Sequence, residues 1–278
     1  MEKTPMSDSV MHVTETPYIL EENDDFAVAY KPPLMHCAPS KKQDDETLAD
    51  WYGKICPAAY AVNGKRAGEG GLLHRLDFLT RGLVLFAKNQ RAFDLLQKEQ
   101  EEGRFIKEYR ALCRYSTASR PGFPPRQDSG AIPPLIESYF RAFGPGRKEV
   151  RPVLDPKHSS RAIASDRGAY YRTELCRVEK DAAPAAAELC RASFDLKIRR
   201  GFRHQIRCHL AWIGYPIIND PIYGDSIYGQ QEAAAGQGYL ALCSYGLSFI
   251  GPDSVQKEYR IAYKELDSCI ATCATFQI

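Results

Sequence analysis

The feature that most constrains the fold is a polar segment enclosed by two apolar runs at residues 71–88, which read G-L-L-H-R-L-D-F-L-T-R-G-L-V-L-F-A-K. Leucines precede the polar segment, and a continuous apolar run at 83–87 follows it. A short apolar run bounded by glycine is typical of a buried strand. The pattern therefore predicts a polar loop displayed between two buried strands.

This predicted loop carries one carboxylate, Asp77, between the basic side chains of Arg75 and Arg81. The pKa of an unperturbed Asp is about 3.9, and an adjacent arginine lowers it by roughly 1–3 units. Asp77 is therefore expected to be ionised at neutral pH, where a carboxylate can act as nucleophile, general base or metal ligand. The alternative is a loop ion pair with Arg75 or Arg81, which joins the two strands and contributes only about 0–1 kcal/mol.

A second charged segment, residues 201–224, reads G-F-R-H-Q-I-R-C-H-L-A-W-I-G-Y-P-I-I-N-D-P-I-Y-G. Its apolar spacing predicts a short helix that ends at Gly214. Arg203 and Arg207 are four residues apart, so both are expected to project from one side of that helix. Like charges at this spacing repel by roughly 0.2–0.5 kcal/mol, which an anion such as Asp77 would relieve. The alternative is an ordinary capped helix with surface arginines.

The composition is that of an ordinary globular protein, with 278 residues, 44% hydrophobic and 26% charged. A net charge of +2 is only mildly basic, so any nucleic-acid-binding surface has to come from local clustering of charge. The nine cysteines include no C-x-x-C pair, which argues against metal and disulfide roles and favours a reducing cytoplasm. We find no secretory signal and no apolar run long enough to cross a membrane.

Three segments in the same order resemble the motifs of the RluA-type pseudouridine synthases, which isomerise uridine to pseudouridine within RNA. The first is H-R-L-D-x-x-T-x-G-L-x-L-F-A-K around Asp77, and the second is K-x-Y at residues 107–109 in a predicted strand at 105–113. The third is G-R-T-H-Q-I-R-x-H-L, which residues 201–210 match with two substitutions. The resemblance extends from about residue 18 to residue 263, and the chain is identified as a member of this family.

The resemblance implies roles for individual residues. Asp77 matches the catalytic nucleophile, Tyr109 the aromatic residue that stacks on the target base, and Arg207 the arginine that pairs with the nucleophile. Stacking of a base on an aromatic ring is worth about 1–3 kcal/mol, although Tyr109 read alone is an ordinary strand aromatic. The substrate-binding residues expected from the same motifs are His74, Arg75, Thr80, Arg81, Arg203, His204 and Gln205.

The chain departs from the family pattern at several positions beside these motifs. The departures bear on substrate choice and phosphate contacts more than on the existence of the activity. They are Arg81 in place of Ser, Phe202 in place of Arg, Arg203 in place of Thr, Tyr215 in place of His, Asn219 in place of Gly and Cys243 in place of His.

The fold implied by the resemblance is α+β, with a mixed, mostly antiparallel central sheet, flanking helices and two subdomains around a central catalytic cleft. Residues 1–17 are expected to be a loose leader, 18–265 the catalytic domain and 266–278 a tail. The leader is too short for the small RNA-binding module that many relatives carry. The basic segment at 135–168 is expected to be either a solvated face or a phosphate-contacting region.

The expected function is therefore an RNA pseudouridine synthase that flips and isomerises specific uridines in ribosomal or transfer RNA. No metal and no organic cofactor is called for, RNA is the expected partner, and a cytoplasmic monomer is the expected state. Two alternatives remain open. One is a non-catalytic RNA-binding relative, and the other is a carboxylate-dependent nucleoside hydrolase, which usually needs a second acid that the sequence does not make obvious.

Overall fold

The computed structural model describes residues 16–39, 45–126, 131–155, 170–181, 190–224 and 239–262. Most of the predicted leader, the basic residues Lys157 and Arg161, and the whole of the predicted tail lie outside these ranges. The predicted division of the chain into leader, catalytic domain and tail stays a prediction.

The described residues form one ten-stranded sheet flanked by short helices. The strands are β1 (Tyr18–Glu22), β2 (Phe26–Lys31), β3 (Arg81–Ala87), β4 (Ile106–Arg114), β5 (Leu135–Phe143), β6 (Glu149–Val153), β7 (Tyr171–Lys180), β8 (Arg191–Ile198), β9 (Leu242–Ile250) and β10 (Gln256–Arg260). The helices are α1 (Leu48–Ile55), α2 (Pro57–Tyr60), α3 (Gln90–Glu101) and α4 (Gln205–Trp212).

The strand order is β1-β2-β3-β9-β4-β8-β7-β5-β6, with β10 paired to β9. Among the described strands, every pair is antiparallel except β3 with β9. The predicted α+β class with a mixed, mostly antiparallel sheet is therefore confirmed. None of the helices in the described part of the chain is long and apolar enough to cross a lipid bilayer.

The parallel pairing of β3 with β9 is short, since it joins only Arg81 to Cys243 and Gly82 to Ser244. Gly82 has a φ of +123°, and a Cβ built on it would lie 2.2 Å from the backbone oxygen of Ser244. Only glycine allows so close an approach of two backbones. The polar loop that carries Asp77 ends immediately before this junction.

The central strands bury both of their faces, which explains their continuous apolar runs. Every residue of β2 is buried, and alternate residues enter different packing clusters. Ala27 and Ala29 pack in the cluster that contains residues of α1 and α4, whereas Val28 packs in the cluster that contains α3. The sheet therefore has helices on both sides.

Capping residues fix the starts of two helices in the first half of the chain, α1 and α3. The Thr47 hydroxyl and the Asp50 carboxylate form a capping box at the start of α1. The Asn89 side chain accepts a hydrogen bond of 2.9 Å from the backbone N–H of Ala92 at the start of α3. Each cap therefore sets the first residue of its helix.

The prediction that two regular strands enclose the polar loop is wrong for the first apolar run. Leu72 forms only an isolated bridge with Phe86, and the neighbouring backbone contacts are Leu73 N–H to Leu85 O at 3.0 Å and Ala87 N–H to the Gly71 oxygen at 2.7 Å. The first run therefore lies along β3 without continuing as a strand. The basic segment after residue 135 contains two strands, β5 and β6, which the sequence reading did not place.

Candidate active site

Three elements that are distant in sequence meet around one cavity of about 900 Å³. The loop before β3 contributes Asp77, strand β4 contributes Tyr109, and helix α4 contributes Arg207. The structure therefore brings together the three residues for which catalytic roles were predicted. Nine of the ten predicted site residues line this cavity, and Arg81 does not.

The ion pair of Asp77 is with Arg207, whose Nη1 donates to Asp77 Oδ2 at 3.3 Å. The alternative pairing with Arg75 or Arg81 is wrong. The Arg75 guanidinium instead contacts the Glu69 carboxylate at 3.2 Å. Arg81 is 1% exposed, and its guanidinium carbon lies 5.2 Å from the centre of the Tyr239 ring. Asp77 therefore depends for its counter-ion on a residue that follows it by 130 positions.

Arg207 is held in place by a second carboxylate, that of Asp220. Arg207 Nε donates to Asp220 Oδ2 at 2.7 Å, and Nη2 donates to Oδ1 at 2.8 Å. Because this bidentate contact occupies one edge of the planar guanidinium, Nη1 is left to point at Asp77. Both Arg207 and Asp220 are 2% exposed. The arrangement is a buried Asp220–Arg207 pair that presents one donor to a partly exposed carboxylate.

Asp220 was not among the predicted site residues, although it lies in the analysed segment 201–224. Its Oδ1 also accepts the backbone N–H groups of Ile222 and Tyr223, both at 2.9 Å. Burial by itself would raise the pKa of this carboxyl, but the Arg207 guanidinium and the two N–H groups hold the pKa below its usual value. Asp220 is therefore ionised at neutral pH and serves as the fixed anion of the site.

The expectation that Arg203 and Arg207 project from one side of a helix is wrong. His204 has a left-handed backbone with φ of +57°, and the helix begins only at Gln205. Arg203 therefore precedes the helix, and its guanidinium donates to backbone oxygens of the β5–β6 hairpin, including that of Glu149 at 3.3 Å. The repulsion expected between the two arginines does not arise in this geometry.

His204 lies between the loop of Asp77 and Tyr223. Its Nε2 is 3.9 Å from Asp77 Oδ2, and its Nδ1 is 3.3 Å from the Tyr223 hydroxyl oxygen. Burial lowers the pKa of His204, with a smaller opposing effect from Asp77. The imidazole is therefore neutral at neutral pH and contributes a polar contact without a net charge.

Tyr109 is 5% exposed, and its backbone pairs with that of Ser244 in the ladder between β4 and β9. Burial raises the pKa of this phenol well above its usual value, and the nearby Asp77 carboxylate raises it further. The phenol therefore stays protonated at neutral pH. The ladder between β4 and β9 therefore sets the position of the ring in the wall of the cavity.

Two of the predicted substrate-binding residues use their polar atoms within the protein. Gln205 Nε2 donates to the Arg172 carbonyl at 2.9 Å and to Thr173 Oγ1 at 3.1 Å, and its Oε1 accepts from Phe202 N–H. His74 Nε2 accepts the backbone N–H of Leu85 at 3.3 Å. These contacts fix the start of α4 and the approach to β3.

The remaining predicted residue, Thr80, shapes the loop itself. It is 2% exposed, lines the cavity, and donates its backbone N–H to the Asp77 carbonyl at 3.0 Å. This hydrogen bond closes a turn that directs the Asp77 side chain into the cavity. Across the ranges that the structure describes, no group of three His, Cys, Asp or Glu side chains is arranged to hold a metal ion.

Comparison with known proteins places this geometry in context. The family profile described as RNA pseudouridylate synthase matches residues 25–212. The mouse protein named Pseudouridylate synthase RPUSD2 is 26% identical over 232 residues, which are 81% of this chain and 34% of that protein. The Mycoplasma pneumoniae protein named Uncharacterized RNA pseudouridine synthase MG209 homolog is 28% identical, over 84% of this chain and 62% of its own length.

Solved structures support the fold. The structure of Human RNA Pseudouridylate Synthase Domain Containing 1 matches with a TM-score of 0.60 at 21% identity, covering 98% of this chain and 90% of that one. The chain spans about a third of the length of its mouse relative and less than two thirds of that of the Mycoplasma relative.

Proposed function

We propose, from the premise that this chain belongs to the RNA pseudouridylate synthase family, that it isomerises specific uridines in ribosomal or transfer RNA to pseudouridine. The observation that carries the proposal is the geometry of Asp77, whose carboxylate faces the cavity at 3.3 Å from an arginine that a buried Asp220 holds in position. A nucleophilic carboxylate has to be accessible to substrate and also oriented. Asp77 fits both conditions, since its side chain is 24% exposed.

The first step is extrusion of the target uridine from its stack, which costs a few kcal/mol. The cavity has room for a nucleotide at about 900 Å³. Arg75 lies at the exposed edge of the cavity, with its side chain 49% exposed, so it is placed to hold the flipped nucleotide or to fill the space that the nucleotide leaves.

The chemical step begins when the Asp77 carboxylate attacks either the anomeric carbon of the ribose or the uracil ring. Isomerisation breaks the bond from uracil N1 to the anomeric carbon and forms a bond from uracil C5 to the same carbon. The bond to Asp77 forms and then breaks, and the proton on C5 moves to N1, so no oxidant, reductant or cofactor is consumed. Arg207 keeps the carboxylate oriented and stabilises it whenever it is free.

The detached uracil must turn within the site without being lost to water. Tyr109 would stack on the base throughout this rotation, because its ring lies in the cavity wall and its strand is paired on both sides, with β8 and with β9. Leu76 and Ile206 also line the cavity, are 7% and 5% exposed, and exclude water from the reacting bonds. The proposed partner is therefore RNA, bound so that one uridine reaches this apolar wall.

The test is pseudouridine mapping across the total RNA of the host with and without this gene, with Asp77→Asn as the rescue variant. We expect loss of one or a few pseudouridines, restored by the parent protein and not by the variant. The variant replaces one carboxylate oxygen by an amide nitrogen of similar size, so it is expected to fold normally. Its thermal unfolding is the control for folding.

The outcomes separate the competing functions. Turnover by purified Asp77→Asn would show that Asp77 is not the nucleophile. Release of free uracil would identify a nucleoside hydrolase instead. RNA binding with no conversion of any uridine would identify a non-catalytic RNA-binding protein.

A further inference from the structure

Lys107 is a buried cation in the cavity wall to which the proposed reaction gives no role. It is 5% exposed and lines the same cavity as Asp77. Its Nζ donates to the Arg199 carbonyl at 3.3 Å and lies 5.4 Å from the centre of the Phe105 ring. Among the described residues, no carboxylate forms an ion pair with it. An ammonium group carries three donors, so most of its hydrogen-bonding capacity is unused.

The electrostatic surroundings of Lys107 are also unfavourable for an isolated cation. Burial and the nearby Lys65 ammonium lower the pKa of Lys107 to about 7. Lys65 lines the same end of the cavity, where its Nζ donates to the Leu73 carbonyl at 2.8 Å. Buried charges in proteins are ordinarily paired, and removing an ammonium from water without a partner is costly. An anion bound beside Lys107 would therefore stabilise its charged form.

The position of Lys107 relates it to the target base. Lys107 precedes Tyr109 by two residues on β4, so both side chains lie on one face of the strand at a spacing of about 7 Å. Gly201 lies beside the ammonium, and a Cβ built at Gly201 would be 3.8 Å from Nζ. Gly201 has no side chain to cover the ammonium, and both residues line the cavity.

We propose that Lys107 binds a phosphate of the RNA backbone that flanks the target uridine. The inference rests on the proposed function, because it takes RNA as the substrate. A phosphate supplies the missing negative charge and accepts the unused donors of Nζ. This phosphate would belong to the same RNA strand as the uracil that stacks on Tyr109. Lys107 therefore fixes which nucleotide of the bound strand reaches Asp77.

The test is a thermodynamic cycle with single-stranded pentauridylate as the probe. One probe has only ordinary phosphodiester linkages, and four others each carry a single neutral methylphosphonate linkage. Dissociation constants are measured for Asp77→Asn, which prevents turnover, and for Asp77→Asn combined with Lys107→Met. We expect one methylphosphonate position to weaken binding about 10-fold when Lys107 is present and to have no effect when it is replaced.

Two further measurements support the same result. Lys107→Met should reduce the slope of log affinity against log salt concentration by about 0.7, the value for one phosphate contact on a single strand. Gly201→Val leaves the charge in place but covers the ammonium, and it should abolish the same methylphosphonate effect. Lys98→Met is the matched control, because Lys98 is an exposed lysine of α3 that does not line the cavity.

Two results would overturn the inference. If the folded Lys107→Met protein bound RNA with unchanged affinity, Lys107 would not contact the RNA. An equal loss with all five probes would show that Nζ contacts a base and not a phosphate. If pseudouridine mapping still shows isomerisation in either case, only the Lys107 inference fails. If the protein neither binds any probe nor isomerises any uridine, the proposed function fails together with the inference.

Discussion

Asp220 determines which atom of Arg207 faces the carboxylate of Asp77, the proposed nucleophile. The carboxylate occupies Nε and Nη2 of the guanidinium at 2.7 and 2.8 Å, and it is itself fixed by two backbone N–H groups. If this anion were absent, the guanidinium could turn toward Asp77 with any of its edges. Asp220 is therefore a positioning residue, since it contacts Arg207 and not the Asp77 carboxylate.

We predict that Asp220→Asn lowers kcat by about 100-fold with little change in KM. Displacement of a catalytic group by about 1 Å costs this much, whereas the substrate contacts stay in place. Loss of the buried anion should also lower the free energy of unfolding by roughly 3 kcal/mol, because Arg207 is left without its main counter-ion. Steady-state kinetics and urea unfolding measure the two effects.

Asp253→Asn is the matched control for this substitution. Asp253 is half exposed and pairs with Lys257 at 2.6 Å on the surface. Its replacement should leave the midpoint of urea unfolding nearly unchanged, because surface substitutions of this kind have little effect. A kcat for Asp220→Asn equal to that of the parent would show that Arg207 needs no second carboxylate.

The residues of the site differ in how far the sequence could predict them. Asp77 and Arg207 could be predicted as neighbours because each lies in a long motif whose order and spacing are specific. Asp220 could not, since no local pattern separates a buried aspartate from a surface one. The departure at Asn219 is understandable only in three dimensions. Its φ is +60°, a left-handed conformation in which asparagine can stand where the family has glycine.

At the scale of elements, the docking of α4 depends on a buried histidine that takes no part in the proposed chemistry. His209 is fully buried, with Nε2 at 2.9 Å from Ser138 Oγ on β5 and Nδ1 at 2.8 Å from Thr173 Oγ1 on β7. Burial lowers the pKa of its imidazole to about 3. The neutral ring joins the helix that carries Arg207 to the sheet.

We predict that this contact makes the fold sensitive to acid below about pH 6.5. The unfolded state takes up a proton at His209 near pH 6.5, whereas the folded state does not until about pH 3. The contribution of the neutral His209 ring to the free energy of unfolding is therefore fully present above pH 6.5. It is lost as the pH falls, at up to about 1.4 kcal/mol per pH unit. His209→Gln should be less stable than the parent at pH 7.5 and should approach the parent at pH 5.5 in urea unfolding.

His36→Gln provides the control, because His36 is only partly buried. Its difference from the parent should change much less between pH 7.5 and pH 5.5. If the difference between His209→Gln and the parent were the same at both pH values, the titration of His209 would not contribute to the acid sensitivity of the fold.

The elements themselves divide into those with local signals and those without. α1 and α3 could be predicted because apolar spacing and the caps at Thr47 and Asn89 agree with the tertiary structure. The first apolar run before Asp77 could not be predicted correctly, since an apolar pair can lie beside a strand without joining it. β5 and β6 were missed because Glu137, Arg141 and Arg151 interrupt their apolar residues, and these charges were more conspicuous than the alternation of buried positions.

At the scale of the whole molecule, the site depends on the short parallel pairing of β3 with β9. The loop of Asp77 enters β3 at this pairing, and Ser244 of β9 pairs on its other side with Tyr109 of β4. This pairing consists of only two residue pairs, so the loss of one pair would remove half of it. A change of one backbone contact there should affect the position of the nucleophile and that of the stacking ring together.

We predict that Gly82→Ala destabilises the fold by roughly 3 kcal/mol or more and also lowers activity under conditions where the protein remains folded. The added Cβ would lie 2.2 Å from the Ser244 oxygen and 2.6 Å from its nitrogen, so β3 and β9 must separate. Because Ser244 is also the register partner of Tyr109, separation also shifts the part of the cavity wall that Tyr109 forms. Urea unfolding and initial rates at low temperature measure the two consequences.

Gly103→Ala separates this effect from the ordinary cost of a left-handed alanine. Gly103 follows α3 with φ of +74°, and a Cβ built on it has nothing within 4 Å. Its replacement should cost only about 1 kcal/mol and leave the activity of the folded protein unchanged. Equal losses of stability in the two variants would mean that the cost at Gly82 comes from its positive φ alone, and that the close approach to the Ser244 backbone adds no further cost. A folded, fully active Gly82→Ala protein would show that the site tolerates separation of β3 from β9.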